Sequence, residues 1–356
     1  MWKNEVTKLL NINYPILQAP MAGGVTTSKL VASVSNSGGL GMIGAGYMTP
    51  AQIREQIREI KQLTPNNFGI NLFVPNEIHA TESEINTAMD LMKPFYEELQ
   101  IEEKQAKVSS TEAALVNFHE QVKVVIEENV PICSFTFGIP SKKVVVELKE
   151  NNILLIGTAT NVKEAIENEN LGMDLVCVQG CEAGGHRGTF IGGFEESLIG
   201  LMSLIPQVAD QINIPVIAAG GIMDGRGLSA SMCLGAKAVQ MGTAFLTCQE
   251  SGAHHVHKEA ILHTTEDEIV LTRAFSGKWA RGIKNRFITE MKEHEDGLPN
   301  FPVQNTLTQQ IRGAASSQNN QEFMSLWSGQ SPTLAEHQTV EELISKTMSE
   351  AKAIMT

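Results

Sequence analysis

Eight short apolar runs, each separated from the next by a segment of helical spacing, set the tightest limit on what this chain can fold into. They are Pro15–Ala19, Leu40–Ile43, Phe68–Leu72, Ile132–Phe135, Ile153–Gly157, Leu175–Gln179, Pro215–Ala219 and Ala238–Met241. Runs this short, apolar throughout rather than alternating, read as strands covered on both faces, the pattern of parallel sheets with crossover helices. The intervening helices are expected at Ser28–Asn36, Pro50–Leu63, Ser141–Glu150, Asn161–Asn170, Ser203–Ile212 and Gly225–Leu234. Several open on a Ser, Thr or Asn cap or an early Pro. Eight such βα units favour closure into a (β/α)8 TIM barrel, with an open doubly wound sheet as the alternative.

Two stretches break this rhythm. Asn76–Asn129 is too long for one crossover and carries Glu, Lys and Ala at helical spacing, so it reads as a pair of amphipathic helices inserted after the third strand. Packing over the barrel's outer wall is the expected role of the insert, and a lid the lesser alternative. From Arg273 onward the charge is mixed and a last helix is expected near Val340–Ile354, which suggests a C-terminal helical cap. The chain is therefore expected to divide into a barrel with its insert at 1–272 and a cap packed on it at 273–356. Within the cap, Ser276–Asn285 and Leu326–Gln330 have loop-like compositions that suit either closure over a ligand or plain surface.

Composition excludes some partners. With a formal charge of -13, the chain is a poor match for nucleic acid, whose binding depends on Lys and Arg neutralising phosphates. The five cysteines (Cys133, Cys177, Cys181, Cys233, Cys248) are scattered in apolar segments, as expected for thiols in a reducing compartment. No signal-like apolar core of roughly 7–15 residues and no run of about 18 apolar residues is present, so a soluble, cytoplasmic protein without a membrane partner is expected. A monomer and a homodimer fit equally well. His254, His255 and His257 lack a carboxylate or thiol at ligand spacing and read as a helical surface, so no metal is expected.

The densest chemical signal is VQGCEAGGHRGTF (178–190), which leaves the sixth strand on the face where such barrels keep their active sites. Gln179 could hydrogen-bond a planar heterocycle, and Gly184, Gly185 and Gly188 let backbone approach a ligand around His186. A histidine there can exchange a proton with a substrate near neutral pH. Arg187 could balance an anion or face solvent, and Glu182 reads as an exposed loop carboxylate. The exits of strands seven and eight, at Gly220, Gly221, Gly242 and Thr243, are rich in glycine where barrels often bind phosphate, and so suggest a phosphate-bearing cofactor. Small residues around Ala19 and Met21 would let a flat ring lie across the mouth, with Asn71 within reach. GGLGMIGAG (38–46) flanks a strand instead of opening a helix, so packing is its reading rather than dinucleotide binding.

QAPMAGG (18–24), GGLGMIGAGY (38–47), FGINLF (68–73), VQGCEAGGHRG (178–188), IAAGGIMDGRG (217–227) and VQMGTAFL (239–246), with LWSGQ (326–330) after them, together resemble the nitronate monooxygenase family. The resemblance implies non-covalently bound FMN contacted by Asn71, Gln179, Gly184, Gly221, Gln240, Met241, Gly242 and Thr243, with His186 as catalytic base. It implies oxidation of an alkyl nitronate such as propionate 3-nitronate by O2 to a carbonyl compound and nitrite. With a substrate that is already an anion, His186 would serve mainly to hydrogen-bond or stabilise charge. The flavin-dependent enoyl-acyl-carrier-protein reductases share the EAGGH loop and the glycine pattern. The long insert, the VQGC context and LWSGQ look more like the monooxygenase. A non-catalytic flavin-binding barrel is the third possibility, and an exposed histidine is superfluous to it.

Overall fold

The structure is a computed structural model that describes residues 2–102 and 108–355. The eight expected strands form within a residue or two of their anticipated bounds: β1 (Ile16–Gln18), β2 (Gly41–Gly44), β3 (Phe68–Phe73), β4 (Ile132–Thr136), β5 (Leu154–Ala159), β6 (Leu175–Gln179), β8 (Val216–Ala219) and β9 (Ala238–Met241). Three short strands were not anticipated: β7 (Gly185–His186), β10 (Ile269–Thr272) and β11 (Ala280–Ile283). The eight long strands make one parallel sheet in the order β1-β9-β8-β6-β5-β4-β3-β2, and its two ends meet through a bridge between Leu17 and Leu40. Gln18 carries that seam one residue further, its side-chain Oε1 accepting the Met42 N–H at 3.0 Å where a neighbouring strand would normally supply a carbonyl. The fold is thus a (β/α)8 TIM barrel.

Alternation along the strands divides the apolar residues into an inner and an outer set. Leu17, Met42, Ile132, Ile156, Leu175, Cys177, Ile217 and Ala238 fill the barrel interior. Their neighbours in sequence face the helices, as Val176, Val178, Val216 and Val239 do. Towards the strands' C-terminal ends the inner set turns polar, with Asn71, Ser134, Thr136 and Gln179 linked by or engaged in hydrogen bonds at the mouth. Most of the surrounding helices start where capping predicts, but the one expected at Ser203–Ile212 runs Leu201–Ala209 after Gly200, which offers no side-chain cap. Thr27, Thr49, Asn161 and Asp224 each accept a first-turn N–H, an arrangement worth about 1 kcal/mol per cap.

The insert does not behave as one unit. Its second helix, Thr111–Glu127, lies on the barrel wall as expected, with Phe118, Val122 and Val125 against Ile57 and Phe135. The first, Glu82–Glu98, instead joins the C-terminal region: Met92, Phe95 and Leu99 share a separate apolar core with Phe275, Phe287, Leu307, Ile311 and Phe323. Residues 103–107 of the expected insert lie outside the described residues. Conversely, the last helix, Val340–Met355, packs in the ring of barrel helices, where Leu343, Ile344 and Met348 join Leu30, Leu228 and Val239. Part of the segment read as loop-like is a strand: β10 and β11 form an antiparallel hairpin, and β11 also pairs with β7. This hairpin spans residue 272, and it attaches the cap to the loop that bears His186.

Candidate active site

The loop leaving β6 is held from both sides. The Gln179 amide, expected at a heterocycle, is engaged by its own loop: Nε2 donates to the His186 carbonyl at 3.0 Å and Oε1 accepts the Gly188 N–H at 2.8 Å. Arg187 neither faces solvent nor meets an anion. It is 1% exposed and donates to the carbonyls of Gly180 (2.6 Å), Gln179 (3.0 Å) and Ser197 (2.9 Å), and burial pushes its pKa down to about 10. Glu182 is half-buried rather than exposed, and its Oε1 accepts the Leu201 N–H at the start of helix Leu201–Ala209. Beyond the histidine, the buried Glu164 carboxylate accepts the N–H groups of Phe190 (2.6 Å) and Ile191 (2.8 Å). Gly185 adopts a φ of 72°, a left-handed conformation cheap only for glycine, and a Cβ built there meets nothing within 4 Å. The position a Gly185 side chain would take is therefore clear of protein atoms among the described residues.

His186 stands among aromatic rings. Phe137 lies edge-on at 5.9 Å between centroids, Phe301 at 5.8 Å and Trp327 at 5.4 Å. Its Nε2 is 2.8 Å from the hydroxyl of Ser276. Burial, followed by the positive charges of Lys278 and Arg312, pushes its pKa down to about 3, so the ring is neutral at physiological pH. Lys278 lies over the Phe137 ring at 5.0 Å and donates to the Thr189 carbonyl at 3.1 Å. Arg312 is held by Thr308 Oγ1 (3.1 Å) and the Asn305 carbonyl (2.7 Å). Among the described residues neither cation has a carboxylate within ion-pair distance, and burial lowers the pKa of both. Two half-buried positive charges beside a neutral histidine make a place for an anion.

A second set of residues lies at the exits of β8 and β9. Gly220 and Gly221 adopt φ of 133° and 64°, and Cβ atoms there would come within 3.1 Å of Ala183 N and 3.2 Å of Glu182 Cβ. A Cβ on Gly184 would lie 2.5 Å from the Ser328 carbonyl carbon, so LWSGQ crosses directly over the EAGGH loop. Thr243 Oγ1 accepts the Gly329 N–H at 2.9 Å, which ties the same segment to the end of β9. Alternation turns Gln240 inward towards the mouth, whereas Met241 is 1% exposed within the outer core, so that only its backbone faces the ligand side. Asn71 is buried at the mouth and donates to Ser134 Oγ (2.8 Å) and Thr136 Oγ1 (3.1 Å). The glycines at the exits of β6 and β8 let the EAGGH loop, the β8 exit and LWSGQ pack backbone to backbone at the mouth, where side chains would collide. This combination fits a flat ring bearing a phosphate tail.

Reading the sequence missed Ser276, Lys278, Arg312, Phe137 and Phe301. Only the composition of Ser276–Asn285 hinted at the first two. His257, from the histidine cluster, is buried and bonds the Trp327 carbonyl at 2.9 Å, so it supports the aromatic wall. No group of His, Cys, Asp or Glu among the described residues is placed to hold a metal. A surface groove lined by His119, Lys142 and Glu147 lies between the helices Thr111–Glu127 and Lys142–Glu150. No helix among the described residues is long and apolar enough to cross a membrane.

A barrel whose strand exits are rich in glycine, with a histidine in the loop after β6, is compatible with an oxidoreductase of the flavin-dependent class. Comparison with known proteins narrows this. Residues 3–350 match the family described as nitronate monooxygenase. A probable nitronate monooxygenase of Staphylococcus haemolyticus (strain JCSC1435) is 50% identical over 100% of this chain and 99% of its own length. One from Staphylococcus aureus (strain MSSA476) is likewise 50% identical over 100% and 99%. Among solved structures, a nitroalkane oxidase from Streptomyces ansochromogenes superposes with a TM-score of 0.89 at 35% identity, covering 99% of each chain. FabK from Thermotoga maritima superposes with a TM-score of 0.77 at 33% identity, covering 98% of this chain and 96% of its own. The chain belongs to the nitronate monooxygenase family.

Proposed function

We propose that the chain binds FMN at the mouth of its barrel and oxidises alkyl nitronates, propionate 3-nitronate among them, with O2 to a carbonyl compound and nitrite. The observation that carries this reading is the neutral His186 with Lys278 and Arg312 beside it, neither cation having a carboxylate at ion-pair distance among the described residues, although the Glu164 charge acts on Lys278 from farther off. A pocket of that charge favours an anionic nitronate over a neutral nitroalkane. It also makes His186 a weak base for removing a carbon-bound proton, so its role is to hydrogen-bond the substrate and place its carbon. The backbone around Gly184, Gly221, Gly242 and Thr243 would hold the phosphate, and Gln240 and Asn71 would line the ring's edge. FMN, when bound, supplies the redox step by taking electrons from the substrate and passing them to O2. Phe137, Phe301 and Trp327 keep bulk water from the reacting face.

In this reading the protein works in the reducing cytoplasm, as a monomer or homodimer, and its five cysteines are free thiols. The test uses purified protein in air. Heating should release FMN, and propionate 3-nitronate should be consumed with O2 while nitrite accumulates. A colourless protein that takes up no added FMN, or a yellow one that forms no nitrite, would refute the reading. The reductase alternative, favoured only by the likeness to FabK, requires rapid oxidation of NADH or NADPH with an enoyl thioester.

A further inference from the structure

We propose that Ser276 is a positioning residue that decides which nitrogen of His186 carries the proton, and that Nδ1 is the atom His186 presents to the substrate. The proposal rests on the reading above, in which His186 faces the substrate.

Both partners are fixed independently of each other. His186 lies on β7, paired through Ala280 to β11. Ser276 lies in the turn between β10 and β11, and that turn is tied to the cap by Gln304 Nε2 donating to the Ala274 carbonyl (2.9 Å) and Thr308 donating to the Phe275 carbonyl (2.5 Å). The Ser276 side chain is buried, at 1% exposure, and its oxygen lies 2.8 Å from His186 Nε2 and 3.0 Å from the Lys278 carbonyl, while the Lys278 N–H donates to it at 3.3 Å. Among the described residues no protein group bonds Nδ1.

A serine hydroxyl has one proton to give, and here it has two acceptors. If it points to the Lys278 carbonyl, Nε2 must carry a hydrogen and donate to the serine oxygen, which leaves a lone pair on Nδ1. If it points to Nε2, the hydrogen is on Nδ1 and is donated outward. In the first state Nδ1 can take a proton from a neutral carbon acid: the C–H bond breaks, the N–H bond forms, and the imidazolium shares its Nε2 hydrogen with Ser276. In the second, Nδ1–H donates to an anionic oxygen and no proton is transferred. One ring pose thus serves both protonation patterns, and rotation of a hydroxyl selects between them. The charged groups that face the ring are Lys278 from the turn and Arg312 from helix Gln309–Ser317, and an anion near them favours the second state.

The test is 15N NMR of histidine-labelled, flavin-loaded enzyme with nitrite as the anionic probe, joined to kinetics of Ser276→Ala. With nitrite bound, His186 should be neutral with Nδ1 protonated and Nε2 an acceptor. Ser276→Ala should shift the tautomer balance and lower kcat for propionate 3-nitronate about tenfold, the worth of one lost hydrogen bond, with KM and flavin content nearly unchanged. An Nε2-protonated ring or an imidazolium in the nitrite complex would overturn the proposal even if the variant fails to fold. So would a folded Ser276→Ala enzyme with wild-type kcat. If the wild-type enzyme does not oxidise the nitronate at all, it is the functional reading that fails.

Discussion

Lowering the pH from 7 to 5 should leave His186 uncharged and destabilise the fold, and both effects follow from the same burial. His186 titrates at about 3 against 6.5 for a free imidazole. At pH 5 about one ring in a hundred is protonated, so kcat/KM for a pre-formed nitronate should show no acid limb from histidine between pH 8 and 5. The sign of the stability effect comes from proton linkage. Below pH 6.5 the unfolded chain takes up a proton that the folded chain refuses until about pH 3, so stability present above 6.5 drains away as the pH falls. Over the 1.5 units from 6.5 to 5 this is about 2 kcal/mol, an upper figure because the ring keeps some solvent access. His257, pushed down by burial to about 4, adds a loss of the same sign. Guanidinium unfolding of wild type and His186→Asn at both pH values isolates the share due to His186. The variant should lose about 2 kcal/mol less on acidification. Equal losses in the two proteins, or a wild-type acid limb near pH 6.5 that His186→Asn abolishes, would show that the imidazole is not held neutral by its surroundings.

Lys278→Met and Arg312→Met should each raise KM for propionate 3-nitronate with a smaller change in kcat, because each removes a positive charge that attracts the substrate before reaction. At a separation of about 6 Å and an effective dielectric near 20 the loss is at most about 3 kcal/mol, roughly 100-fold in KM, and steady-state kinetics at fixed ionic strength measures it. Gly184→Ala places a methyl group 2.5 Å from the Ser328 carbonyl carbon, so LWSGQ must shift. FMN affinity, followed by flavin fluorescence, should fall at least fivefold, the equivalent of about 1 kcal/mol of overpacking.

The barrel was legible because apolar runs without alternation, ended by Gly or amide residues, have few other uses, and its helices begin at residues that cap helices. The glycine requirement at the exit of β8 was legible in the pair Gly220 and Gly221, both of which adopt positive φ. At Met241 the strand's alternation adds what a motif does not carry: with Gln240 facing the mouth, the Met241 side chain faces the helices and leaves its backbone for any ligand contact. Arg187 and Gln179 show a limit of reading the sequence alone. Gln179 read as a ligand group and Arg187 as either an anion partner or a solvent-facing residue, yet a loop that folds back on itself has carbonyls and N–H groups to satisfy, and both side chains bond them. Strand β7 was hidden because a two-residue strand has no period to detect, and β11 because its four residues, ARGI, show neither an apolar run nor an alternation. Lys278, Arg312 and Phe301 come from distant parts of the chain and reach His186 through the hairpin and the cap, while Phe137 reaches it from the exit of β4.

Anaerobic mixing with propionate 3-nitronate, with NADH or NADPH, and with the corresponding neutral nitroalkane, each followed at the flavin absorbance, tests the central claim most directly. The account predicts fast bleaching by the nitronate, much slower bleaching by the neutral nitroalkane and by either pyridine nucleotide, and a large loss of the nitronate reaction in His186→Asn that still holds flavin. Fast reduction by NADH or NADPH with no response to the nitronate would contradict it.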